Sequence, residues 1–104
     1  MTDIPTQARQ LFSTVTDDGQ LELSVRDVPV PAPTGDEVLV QIEATPINPS
    51  DLAVLLSATD SNAFTPIPNG ARAAIPEAAR RAVAPRAGKP LPIGNEGAGT
   101  VVAA

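Results

Sequence analysis

The stretch Gly35-Asp36-Glu37-Val38-Leu39-Val40-Gln41-Ile42-Glu43-Ala44-Thr45-Pro46-Ile47-Asn48-Pro49-Ser50-Asp51-Leu52 constrains the fold more than any other part of the chain. Val38, Val40 and Ile42 alternate with Glu37, Gln41 and Glu43. A period of two predicts a strand with the aliphatic set buried and the polar set in water. Leu39 interrupts the polar face, so that face is expected to be partly covered as well. Pro46 and Pro49 cannot donate to a ladder, and the strand must end before them. Asn48 then falls at the N-cap, Pro49 at the first helical position and Asp51 at the third, for a short helix through Leu52 to Leu56. An N-cap amide on a strand-to-helix turn points toward open space. Asn48 is therefore a candidate for a presented polar group, and equally a helix cap with no further role. Asp51 reads as the partner of the helix start rather than as a catalytic group.

Twelve prolines in 104 residues favour strands and loops over a helical bundle. Such a length gives room for one small domain. Phe12 and Phe64 are the only aromatics, so the core must rest on Val, Leu, Ile and Ala. The chain has neither Cys nor His, which removes thiol chemistry, disulfides and every zinc site built from those ligands. A net charge of −5 without a basic run, and with almost nothing to stack bases, argues against a nucleic-acid partner. No apolar run reaches the ~18–20 residues of a membrane span, and the start carries neither a basic nor an apolar signal region. A soluble, cytoplasmic protein is the expectation.

Met1 to Gln7 is polar and expected to fray. Leu11 to Thr16 and Gln20 to Val28 flank Asp17-Asp18-Gly19, and two such runs around Asp-Gly predict a hairpin. Pro29, Pro31 and Pro33 form an extended spacer, and Thr34-Gly35-Asp36 turns the chain into the strand described above. Residues 57–90 read as a loop and helix excursion. Ser57 to Gly70 is loop, and Ile75 to Ala84 is a short helix with Pro76 at its first position, stopped by Pro85 and Gly88. The excursion is long enough for a lid or a substrate-side wall, and a solvated insertion without a role accounts for it equally well.

The chain closes on Leu91-Pro92-Ile93-Gly94-Asn95-Glu96-Gly97-Ala98-Gly99-Thr100-Val101-Val102-Ala103-Ala104. The glycines at 94, 97 and 99 suit a tight bend and close backbone approach. They do not form a dinucleotide fingerprint, because they precede a strand and no helix opens after them. Gly94, Gly97 and Gly99 are structural on this reading, and Glu96 is expected to accept backbone hydrogens and hold the turn. Thr100 to Ala104 reads as a buried strand. A chain that stops inside an apolar strand is expected to be the front end of a longer protein.

Two of these stretches, Glu-Val-Leu-Val-Gln-Ile-Glu-Ala-Thr-Pro-Ile-Asn-Pro-Ser-Asp-Leu at 37–52 and Pro-Ile-Gly-Asn-Glu-Gly-Ala-Gly-Thr-Val-Val at 92–102, together resemble the medium-chain dehydrogenase/reductase superfamily. More narrowly, they resemble its zinc-free, quinone-oxidoreductase-like branch. The resemblance runs from about Leu21 to the end and is poor over 57–90. It implies a mainly β fold, an incomplete and partly open GroES-like β-barrel with one or two short helices. Residues 1–104 would be the amino-terminal part of a catalytic domain whose Rossmann partner, the holder of NADPH or NADH, is absent from this chain.

Zinc-dependent relatives carry Cys where this chain has Asn48 and His where it has Asn95. Neutral amides are poor zinc ligands, so the resemblance implies a site without metal. It also places Asn48 near the nicotinamide and Asn95 in the substrate pocket wall, or otherwise in the turn alone. The tyrosine common in that branch is replaced by small apolar residues around Ala53 and Val54, which leaves no nameable catalytic acid. The implied activity is NAD(P)H-dependent reduction of quinones, enones or similar carbonyl compounds. The chain alone is expected to be inactive, and a homodimer is open for the complete protein. The rival is a stand-alone GroES-like binding or assembly module. It would need a hydrophobic anchor on a flexible loop, and 57–70 offers only Phe64 and Ile67.

Overall fold

A computed structural model describes residues 4–56 and 59–104. Strand β1 (Gln7–Val15) and strand β2 (Gln20–Pro29) form the expected hairpin, in register from Gln7 opposite Pro29 to Val15 opposite Leu21. The loop between them closes through Thr16, whose N–H donates to the Gln20 carbonyl at 2.8 Å and whose hydroxyl accepts from the Gln20 N–H at 3.0 Å. β1 begins at Gln7, earlier than the run from Leu11 suggests, because β2 extends to Pro29 and supplies partners for the polar residues.

Beyond the proline spacer come β3 (Leu39–Ala44), α1 (Pro49–Leu56), β4 (Thr65–Ile67), β5 (Gly70–Ala74), α2 (Glu77–Val83), a 3-10 turn (Ala84–Arg86), β6 (Leu91–Pro92) and β7 (Ala98–Ala103). The strands make two antiparallel sheets. One has the order β4-β5-β2-β1-β6, and the other is a two-stranded ribbon of β3 and β7. The protein is mainly β, with two short helices and an open arrangement that does not close into a barrel. At the turn into β3, the Thr34 backbone N–H and then its hydroxyl donate to the Glu37 carboxylate, each at 3.0 Å, and hold its pKa below the usual carboxylate value.

The core is small. Val15 and Leu21 face each other across the hairpin, Ala73 lies opposite Leu21 on β5, and Ile75 follows. Phe64, Leu23, Ala79, Val83 and Ala87 pack around this cluster. The segment 57–90 is therefore not an excursion. Residues 57–58 lie outside the described residues, but the rest supplies two strands of the main sheet and one of its three largest core side chains. The Ser, Ala and Pro content suggested loop because β5 (GARAA) has no bulky side chains to alternate. The helix expected over Ile75 to Ala84 begins at Glu77, with Pro76 as its cap, and Ile75 turns inward instead.

A second correction concerns the ribbon. Val38, Val40 and Ile42 were expected inside, and Thr100 to Ala104 was expected to be a buried strand. Ile42 is 54% exposed and Val101 56%, and Val38, Val40 and Val102 are exposed with them. Alternation establishes which residues share a face, but burial needs a second layer, and this ribbon has none over it among the described residues. The radius of gyration is 16.1 Å, against about 13 Å for a compact domain of this length. The ribbon stretches the molecule to 51 × 26 × 25 Å.

A polar knot fastens α1 to the main sheet. The Ser13 hydroxyl is fully buried and donates to the Val54 and Leu55 carbonyls, both at 3.3 Å. The Arg86 guanidinium donates to the Ser13 carbonyl at 3.4 Å, the Ser13 hydroxyl at 3.2 Å and the Val54 carbonyl at 3.5 Å. A cation over the last carbonyls of a helix also meets the negative end of its dipole. Burial lowers the Arg86 pKa, yet a guanidinium stays charged. Arg86→Met keeps the stem and removes these donors. It is expected to cost about 1–3 kcal/mol by chemical denaturation, with amide exchange rising more in α1 than in β2. Equal acceleration in both elements would show that the knot does not hold the helix.

Candidate functional site

The pairing of β3 with β7 positions the site. Ala44 lies opposite Ala98, so the chain leaving β3 and the chain entering β7 are neighbours. The turn at Thr45-Pro46-Ile47 thereby borders the turn at Gly94-Asn95-Glu96-Gly97 across a cleft of about 700 Å³. Its floor is aliphatic, formed by Leu11 and Val28 of the hairpin, Ile42 of β3, Leu52 and Leu55 of α1, and Ile93. Its polar groups are Arg9, Gln10, Thr45, Asp51, Asn95 and Glu96.

The glycines have distinct reasons to be there. Gly94 has φ +100°, a conformation costly for any residue with a Cβ. A Cβ at Gly99 would sit 1.9 Å from the Gln41 carbonyl oxygen, so the two strands approach only because that atom is missing. At Gly97 a Cβ would meet the Ile42 Cδ1 at 3.0 Å, the end of a side chain that can move.

Asn48 and Asp51 take the places expected of them at the start of α1, although the Asn48 side chain does not do the capping. The Asn48 carbonyl accepts from the Asp51 N–H at 3.0 Å and the Leu52 N–H at 3.3 Å, as an N-cap should. Its side-chain amide makes no hydrogen bond among the described residues. The capping is done from the other side. The Asp51 carboxylate accepts from the Asn48 N–H at 3.0 Å, the return half of a capping box. Asp51 is only 7% exposed and lines the cleft. Asn48 is half-buried and is not among the lining residues, whereas its neighbour Ile47 is.

Asn95 and Glu96 both line the cleft and are exposed. Glu96 makes no hydrogen bond among the described residues, so it does not tie the turn to the backbone as expected. The turn instead rests on the Ile93 N–H, which donates to the Leu11 carbonyl at 3.0 Å, and on the ribbon register. Two cleft residues escaped the sequence reading. Arg9 falls between the end expected to fray at Gln7 and the run expected from Leu11, where the sequence assigns no element. Asp51 carried a capping signal that fully accounted for it.

A cleft with an aliphatic floor, one guanidinium and a few amide and backbone donors can hold a small apolar molecule and polarise one oxygen of it. It has no cradle for a pyrophosphate, since the Gly94–Gly97 turn runs into β7 and not into a helix. No group of three or more potential His, Cys, Asp or Glu metal ligands occurs among the described residues. No described helix is long and apolar enough to cross a membrane. Neither a family model nor a curated protein sequence matches the chain.

Proposed function

We propose that this chain is the amino-terminal, substrate-side domain of a zinc-independent, NAD(P)H-dependent oxidoreductase of the medium-chain dehydrogenase/reductase type, acting on quinones, enones or similar carbonyl compounds. The observation that carries this reading is the convergence of the two stretches behind the resemblance. They lie 39 residues apart between Leu52 and Pro92, yet they pair as β3 and β7 and their turns border one aliphatic cleft. On this reading the cleft walls receive the flat, apolar body of the substrate, Asn95 or Arg9 donates to its oxygen, and the Asn48 amide, outside the cleft lining, is left for the nicotinamide side. NADPH or NADH would be held by a domain that follows in the complete protein, because these residues offer its phosphates nothing. The rival reading, an assembly module with a free anchor, loses its best candidate because Phe64 packs against the core.

The test is NADPH oxidation by the complete protein with quinone and enone substrates after removal of metal by a chelator. Turnover that survives chelation is expected; absence of any nicotinamide-dependent reduction overturns the class. Asn48→Ala in that protein removes no hydrogen bond among the described residues and should change stability by about 0.5 kcal/mol or less. Turnover should fall about tenfold, the consequence of some 1.4 kcal/mol lost at the barrier. Unchanged turnover would reduce Asn48 to a backbone cap.

A further inference from the structure

Each sheet of this protein has two open edges, and they are not equally protected. The five-stranded sheet ends on β4 and β6, each of which carries a proline, Pro66 and Pro92. Proline on an edge strand withholds a donor and discourages further pairing. The ribbon ends on β3 and β7, and neither contains a proline. β3 carries Glu43, and Glu37 lies just before it. From Gly97 to Ala104 there is no ionisable side chain. β7 thus has no proline and no charged side chain of its own, with Val101 more than half exposed, and the Glu43 carboxylate of β3 accepts from its Thr100 hydroxyl at 2.9 Å.

We infer that β7 pairs antiparallel with β7 of a second copy of this chain about a two-fold axis, making a four-stranded sheet β3-β7-β7-β3. Three observations select a second copy as the occupant. A two-fold axis perpendicular to the sheet keeps like faces together, so the strand can be centred with Val101 opposite Val101 of the other copy. Val40 is the partner of Val101 within each chain, so this register builds an unbroken row of four valines on one face. β-Branched side chains pack well against neighbours on a pleated surface. The flanking pairs, Thr100 against Val102 and Gly99 against Ala103, bring no charge against a like charge. Of the ribbon's two edges, β7 is therefore the one at which two copies of a chain of net charge −5 meet with less local repulsion. A six-residue edge makes an interface near or below the ~1,200 Å² of stable complexes, so the dimer is reversible and concentration-dependent. Because the charge on the rest of each copy still repels, added salt strengthens it.

The inference is independent of the proposed catalytic role, and its test uses the 104-residue chain itself. Sedimentation equilibrium over a range of concentrations should show a monomer–dimer equilibrium based on a 10.6 kDa chain, shifting toward dimer as salt is raised. Val101→Lys should leave only monomer, whereas Thr65→Lys on the guarded β4 edge should leave the dimer intact. Val101→Cys supplies the only thiol of a chain that has none. Facing strands place the two Cα atoms about 4.5–5.5 Å apart, within disulfide reach. Mild oxidation should therefore cross-link the Val101→Cys protein, and should not cross-link Val25→Cys, another exposed position on β2. A monomer at every concentration, a dimer indifferent to Val101→Lys, or open-ended assembly in place of a closed pair would each overturn the inference.

Discussion

Leu21→Ala is expected to abolish the cooperative thermal transition of this domain, or to lower its midpoint farther than any other aliphatic truncation in β2. Leu21 is fully buried and meets Val15 across the hairpin and Ala73 on β5. Truncating such a residue costs about 2–5 kcal/mol, because the transfer free energy is lost and a cavity remains. The domain has little to spare. Val15, Leu21 and Ile75 are its only buried large aliphatics among the described residues, and small cores lie at the low end of the ~5–15 kcal/mol usual for domains. The internal control is Val25→Ala on the same strand. Val25 is 45% exposed, and its loss should fall within about 0.5 kcal/mol, as at ordinary surface positions. Circular dichroism melts of the two variants decide the matter. Equal small shifts would mean that the Val15–Leu21–Ile75 cluster is not what holds the sheets.

Gly99→Ala should damage a different part of the molecule. The added Cβ would stand 1.9 Å from the Gln41 carbonyl oxygen and 2.8 Å from its carbon, both backbone atoms that no rotamer change can move aside. The strands must part or slip, at the upper end of the roughly 1–3 kcal/mol of ordinary overpacking or beyond it. Because β3 and β7 pair only with each other among the described residues, that cost falls on the ribbon and leaves the five-stranded sheet intact. Amide exchange should therefore rise through β3, β7 and the Thr45–Ile47 and Gly94–Gly97 turns, while Leu21 and Ala73 keep their protection. The cleft should lose its shape with the turns, and the quinone reduction proposed above should fall with it. Gly97→Ala is the matched control, since its new Cβ meets only the movable end of Ile42. Global unfolding of Gly99→Ala, or equal behaviour of the two variants, would contradict this division of the molecule.

The backbone plan was legible in the residues wherever a local rule applies. Asp17-Asp18-Gly19 between alternating runs dictated the β1–β2 hairpin, and Pro46 and Pro49 dictated where β3 ends and α1 begins. Gly94 and Gly99 announced a bend and a close approach because no other residue tolerates those positions cheaply. The capping box was visible as Asn48 and Asp51 at their spacing. All of these are decided by sterics and hydrogen bonds within a few residues of chain.

Only the tertiary structure decided which faces are inside. Val40, Ile42 and Val101 have the pattern of buried strands and are exposed, because burial depends on a layer supplied from elsewhere. Ile75 looked like the start of a helix and is a core residue, because β5 carries it under the hairpin. Ser13 and Arg86, 73 residues apart, gave no local sign that they would close over the end of α1. The cleft belongs to the same class. Arg9, Asp51 and Asn95 come from three separate stretches, and only the antiparallel register of β3 on β7, with α1 fastened to β1, places them around one cavity.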